Sequence, residues 1–183
     1  MRTAFFYLLL LCGTAAAVEL RNVEVDRADG RYFMTSEVWF EADLESLYAV
    51  FLDYDLSSKF SSFIAESRNL PPDPSGRRGF YIRNEGCILF FCMSFERTGH
   101  VEHVQNVFIE SIADAELSDF HESLESWTFA AEGAGTLVVY TFEFKPKFWI
   151  PPLIGPYVMQ NKLESDSVRA LHRIEALAQG IQR

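Results

Sequence analysis

The chain has 183 residues, enough for a leader segment and about one domain with a real core. Its 26 acidic residues against 16 basic ones give a net charge of −10. Phosphate binding needs a basic surface, so this balance excludes nucleic acid as a partner and argues against docking on anionic lipid by charge alone.

Arg2 gives a short basic start, and residues 4–11 form a brief apolar run. Ala15-Ala16-Ala17 then supplies small residues at both specificity positions of an A-x-A cleavage site. This is the layout of a secretory signal peptide. The apolar run falls short of the roughly 20 residues a membrane span needs. Lipoprotein processing at Cys12 is disfavoured, because Leu11 is too large for it. The expectation is a signal peptide over 1–17 and a single domain over 18–183, secreted or periplasmic.

Residues 19–40 read as two strands around Asp29-Gly30, a good hairpin signal. Asp43 then reads as an N-cap, and Leu44, Leu47, Tyr48 and Phe51 recur at helical spacing. "YDLSSKFSSF" suggests a second short helix, and "IAESRNL" a strand ended by the Pro/Gly cluster at 71–76. Strands follow in succession over about 77–85, 88–104, 106–113, 122–131 and 136–144, with a turn at Gly133-Ala134-Gly135. Short connections between them predict an antiparallel meander.

Cys87 and Cys92 lie in this region. In an exported protein such a pair is either a disulfide or two buried thiols. On one straight strand they would point to opposite faces, so a bridge needs a turn or bulge between them, which Gly86 could help make. C-x4-C is not a tight metal spacing and the histidines form no matching pair, so no metal is expected.

A long helix over about 153–179 closes the chain, with Gly180 as its C-cap. Met159, Leu163, Ala170, Leu171, Ile174 and Leu177 form its apolar stripe, with Lys162, Arg169, His172 and Arg173 on the other side. The fold class is therefore α+β: a curved antiparallel sheet wrapped around a long C-terminal helix, with two short helices after the first strands.

Three stretches carry a resemblance. They are "VFLDYDLSSKFSSFIAESRNL" (50–70), "WTFAAEGAGTLVVYTFEFKP" (127–146) and "LHRIEALA" (171–178). In that order and spacing the chain resembles the helix-grip superfamily of START domains and the birch-pollen allergen. Its flavour is that of the bacterial polyketide cyclase/dehydrase and lipid transport branch, which includes coenzyme-Q-binding relatives. The resemblance implies an elongated apolar cavity between sheet and helix that holds lipids, quinones, polyketides or similar molecules. A few such proteins catalyse cyclisation or dehydration there. Known members of the branch are usually intracellular, and the signal peptide departs from that.

No catalytic constellation stands out. His100 and His103, three apart on a strand, face opposite sides. Ser57, Ser58, Ser61 and Ser62 read as caps and turn residues. Aromatics carry more information. Tyr140, Phe142 and Phe144 share one strand face, as do Trp127 and Phe129, and as do Phe91, Met93 and Phe95 with Arg97. Lined along a concave sheet, with Leu163, Leu171 and Ile174 from the helix, these are either core filler or the wall of a ligand cavity. Arg83 and Arg97 are candidate polar partners for a ligand, with a surface placement preferred for both.

"KFWIPPLIGPY" (147–157) joins the last strand to the helix. Pro151 and Pro152 stop the strand, and Pro156 suits a helix first turn. Phe148, Trp149, Ile150 and Tyr157 are either core or a hydrophobic rim that gates the cavity or touches a membrane transiently. The chain reads as an exported carrier of a lipid-like or other apolar small molecule, needing no cofactor. The alternative is a cyclase or dehydratase acting in the same cavity.

Overall fold

Alternation in the first segment folds into a hairpin of β1 (Glu19–Ala28) and β2 (Arg31–Phe40). Asp29 and Gly30 between them sit at φ 50° and 77°. Two central residues at positive φ make the turn whose twist matches the flanking strands, which is why Asp-Gly stands there. The computed structural model describes residues 18–88, 91–150 and 155–181, side chains excepted at 88, 91 and 155–166. The expected signal peptide (1–17) and Pro151-Pro152 lie outside the described residues.

Helix α1 (Leu44–Leu52) starts where Asp43 accepts hydrogen bonds from the Ser46 N–H and hydroxyl, both at 2.9 Å. Its inward side buries Leu47, Tyr48, Val50 and Phe51. Helix α2 is shorter than expected, covering only Tyr54–Ser57. Serine hydroxyls take over the next backbone donors: Ser58 N–H donates to Ser67 Oγ at 2.7 Å and Phe63 N–H to Ser61 Oγ at 3.1 Å. Such local bonds compete with helix propagation.

β3 (Ile64–Leu70), β4 (Arg78–Ile88), β5 (Phe91–Val104), β6 (Phe108–Ala113), β7 (Phe120–Glu132) and β8 (Gly135–Pro146) form the expected meander. All pairings are antiparallel, in the order β1-β2-β8-β7-β6-β5-β4-β3. Thus the first hairpin returns to pair with the last strand. Helix α3 (Gly155–Ile181) packs on β1 and α1. It runs through Gly180, so that glycine does not cap it.

The β4–β5 joint lies three residues later than the sequence suggested. Cys87 and Cys92 therefore fall on different strands, directly opposite one another, and are joined by a disulfide. Gly86 makes no turn. It lies inside β4, where a Cβ would sit 2.6 Å from the Phe63 ring, so its bare Cα seats that ring beside Phe95.

The α3 stripe holds in the described half: Ile174 and Ala178 are buried, Leu171 and Leu177 pack on the core, and Arg169, His172 and Arg173 face outward. Two apolar clusters fill opposite ends of the inner sheet face. One, under α1, centres on Phe40, Phe51, Phe129 and Val138. The other centres on Tyr32, Met34, Phe120 and Phe144.

Candidate functional site

Strand register decides which side chains share the inner face. Phe142 pairs with Glu125, Tyr140 with Trp127 and Phe144 with Ser123. Glu125 in turn lies opposite Ser111, and on β5 the inward set includes Met93, Phe95 and Arg97. The aromatics expected to act together therefore do meet, but with a charged pair in their midst.

Arg97 is 3% exposed, and its placement corrects the preference for the surface. Its guanidinium donates to Glu125 Oε2 at 2.5 Å, Ser123 Oγ at 2.8 Å and Ser111 Oγ at 3.0 Å. The Phe142 ring lies 4.6 Å from it and Phe80 5.5 Å. A guanidinium can be buried only with this degree of partnering. Glu125 also accepts from the Ser111 hydroxyl at 3.2 Å and from the Tyr140 hydroxyl at 2.9 Å. Arg83, by contrast, lies on the outer face against Glu66 and Glu85.

Two phenols border this belt. Desolvation, with the Glu125 carboxylate adding to it, pushes the Tyr140 hydroxyl well above the usual tyrosine range. The same two causes raise Tyr54. Tyr54 is 1% exposed and stacks on Phe80, yet its hydroxyl has no partner of hydrogen-bonding geometry among the described residues. Ser111 is close enough to oppose the rise in its pKa. Both phenols stay protonated at any physiological pH and so act as donors.

Tyr140 is deep enough to be strongly desolvated, yet it remains partly accessible, as do Trp127, Phe142, Phe95 and Met93. Phe129, Phe144 and Ile174 are fully buried and fill the two clusters instead. Leu171 packs at the α1 end. The side chains of Phe91, Leu163 and Tyr157 lie outside the described residues.

The 147–150 segment divides. Phe148 turns inward and stacks on Phe95 at 5.3 Å, with Phe120 edge-on at 5.6 Å, and Ile150 packs in the same cluster. Trp149 points out and is 68% exposed. Lys147 holds the segment to the β6–β7 loop: its N–H donates to Asp119 O and its ammonium to Ala115 O and Ser118 O.

His103 accepts or donates at Nδ1 with the Tyr48 hydroxyl, 2.6 Å away, while His100 contacts Arg77 on the outer face. They oppose one another as the spacing predicted. No group of three or more metal-ligating side chains occurs among the described residues. Sequence reasoning missed Glu125, Ser111, Ser123 and Tyr54. The available signal was polar residues recurring on inward positions, Ser123–Glu125–Trp127 and Phe95–Arg97.

Residues 40–168 match the family model described as polyketide cyclase / dehydrase and lipid transport. Human STARD10 superposes with a TM-score of 0.62 at 12% identity, over 88% of this chain and 75% of that one. A START superfamily protein from Mycobacterium smegmatis gives 0.61 at 19% identity, over 79% and 98%. The Zhui aromatase/cyclase from a Streptomyces species gives 0.60 at 13%, over 84% and 96%. At these identities the likeness is one of fold. No curated protein sequence matches.

Proposed function

The chain belongs to the polyketide cyclase / dehydrase and lipid transport family, and from that premise we propose that it is an exported carrier of one apolar small molecule. The cargo is lipid-like, quinone-like or polyketide-like and lies between the inner sheet face and α3. What supports this reading is that Trp127, Tyr140 and Phe142 stay partly accessible on the inner sheet face while their neighbours are buried, from which a hollow beside them is inferred. Burial of apolar ligand surface there contributes about 25 cal/mol per Å², less the costs of association.

The belt beneath the hollow adds a selective element. Arg97, Glu125 and the two serines satisfy one another, whereas the Tyr54 hydroxyl has no partner of hydrogen-bonding geometry among the described residues. A cargo bearing one oxygen acceptor near the belt would relieve that deficit. Export rests on the signal-peptide pattern of residues 1–17 and is supported by the Cys87–Cys92 bridge, which suits an oxidising compartment. Exposed Trp149, backed by half-buried Phe148, suits transient contact with a bilayer interface during loading.

One observation favours a second reading, a cyclase or dehydratase. The interior is not purely apolar, and Tyr140 and Glu125 form a proton donor and acceptor 2.9 Å apart.

Native mass spectrometry of the protein purified from its exported compartment, followed by solvent extraction, tests both. The carrier reading expects a defined apolar molecule near one-to-one stoichiometry, unchanged on release. Release of a molecule lighter by one water than the one supplied would turn the assignment to dehydration. A clean unliganded mass after incubation with membrane lipids and quinones would sink the carrier. Trp149→Ser should leave stability within about 0.5 kcal/mol while reducing liposome association; unchanged association removes the membrane contact.

A further inference from the structure

A surface notch opens where α3 crosses the loop between α2 and β3. Phe60, Ser61, Ser62, Arg169, Ala170 and Arg173 line this shallow, solvent-open notch. Its floor is Phe60, 8% exposed and packed against Phe51 of α1. Arg169 and Arg173 stand one helical turn apart on the outward side of α3, with exposed Lys59 and His172 in the neighbouring positions.

Six arginines elsewhere, Arg21, Arg31, Arg68, Arg77, Arg83 and Arg97, are held by carboxylates, while among the described residues Arg27 and Arg78 are not. Arg173 has none among the described residues; its guanidinium makes only a long bond of 3.5 Å to Phe60 O. That bond aims it into the notch and leaves most of its five donors open. Arg169 already makes a contact of its own, and its fork can serve a further acceptor. Across from them, Ser61 Oγ accepts from Phe63 N–H and keeps its own proton to donate, and the Ser62 hydroxyl is unbonded among the described residues. No carboxylate occurs among the described residues that line the notch. Two guanidinium forks facing two hydroxyls form the donor set that a tetrahedral oxyanion satisfies.

We propose that this notch binds a phosphate group, bridging α3 to the α2–β3 loop. The inference is independent of what fills the interior. Its chemistry is common to a phospholipid headgroup and to free phosphate, and experiment separates these sources.

The mature protein would be titrated with inorganic phosphate against chloride at matched ionic strength and pH, following thermal stability. In parallel it would be floated with phosphatidylcholine vesicles with and without phosphatidylglycerol. Stabilisation by inorganic phosphate, weakened about tenfold or more in Arg173→Gln, assigns the site to a free anion. Binding confined to phosphatidylglycerol vesicles, and lost in the same variant, assigns it to a headgroup. Arg173→Lys should recover part of either signal, because charge returns without the fork. The proposal is overturned if neither probe binds, or if Arg173→Gln and Arg169→Gln, both folded by circular dichroism, bind as the parent does.

Discussion

At the α1 end of the inner face, Phe51 meets Phe40 at 6.3 Å and Phe129 at 5.7 Å, edge to face, and all three are buried. Further along the inner face, on β7 and β8, Trp127, Tyr140 and Phe142 stand beside a buried arginine and stay partly accessible. Both regions carry an aromatic on β7, Phe129 in the first and Trp127 in the second. What differs is the covering. Leu47, Val50 and Phe51 of α1 fill the first region, while a charged belt lies within the second. An aromatic on a concave sheet is thus filler or wall according to what lies opposite it, not according to its own type.

The largest test of that contrast is the belt itself. Arg97→Met leaves the Glu125 charge buried without its main partner and should cost about 3–5 kcal/mol in urea denaturation. Adding Glu125→Leu should restore most of it. A loss under about 1 kcal/mol for Arg97→Met alone would mean that water reaches the belt. Next in size, Phe51→Ala should cost about 3–5 kcal/mol, by opening a void in a packed cluster. Phe142→Ala, among the partly accessible side chains, should cost about 1–2 kcal/mol and act mainly on ligand retention. Equal losses would erase the distinction between filler and wall.

The disulfide lies on the β4–β5 hairpin, away from the α1 cluster. Replacing Cys87 and Cys92 with serine removes a cross-link over a short loop, worth about 2 kcal/mol by loop entropy. Denaturant midpoints with and without reductant provide the check, since the serine variant should not respond to reductant. The smallest effect concerns Glu175, 6% exposed, with Oε2 lacking a partner of hydrogen-bonding geometry among the described residues. Burial raises its carboxyl above the ordinary range, against the bond from Gln179 and the nearby Ala42 and Glu41 N–H groups. A raised native pKa contributes stability below the unfolded pKa and loses it as pH climbs through the native one. The stability difference between Glu175→Gln and the parent should therefore move in favour of Gln as pH rises across that interval. A difference that stays flat with pH would show that Glu175 is hydrated.

Much of this was legible from residue order alone. Asp29-Gly30 between alternating runs fixed one hairpin, Asp43 before Leu44 and Leu47 fixed a helix start, and alternation on β7 and β8 placed the aromatics on one face. The belt was not legible, because its parts lie 14 and 28 residues from Arg97 and meet only through cross-strand register. A charged residue at an inward position reads as surface until its partners are known. The β4–β5 joint was misplaced for a related reason: the run from Cys87 to Met93 is unbroken and apolar, with no glycine or proline to mark where one strand ends.

The strand order also sets a timetable. Arg31 on β2 and Glu143 on β8 are 112 residues apart, yet they pair across neighbouring strands. The first hairpin can form as soon as it is made, but one edge of β2 then stays open until β8 arrives. Closing so long a loop comes late and slows folding. Until then the hairpin and the growing meander are separate sheets, each with an edge able to pair with the wrong chain. A chain cut before β8 is two pieces of sheet rather than a smaller version of the fold.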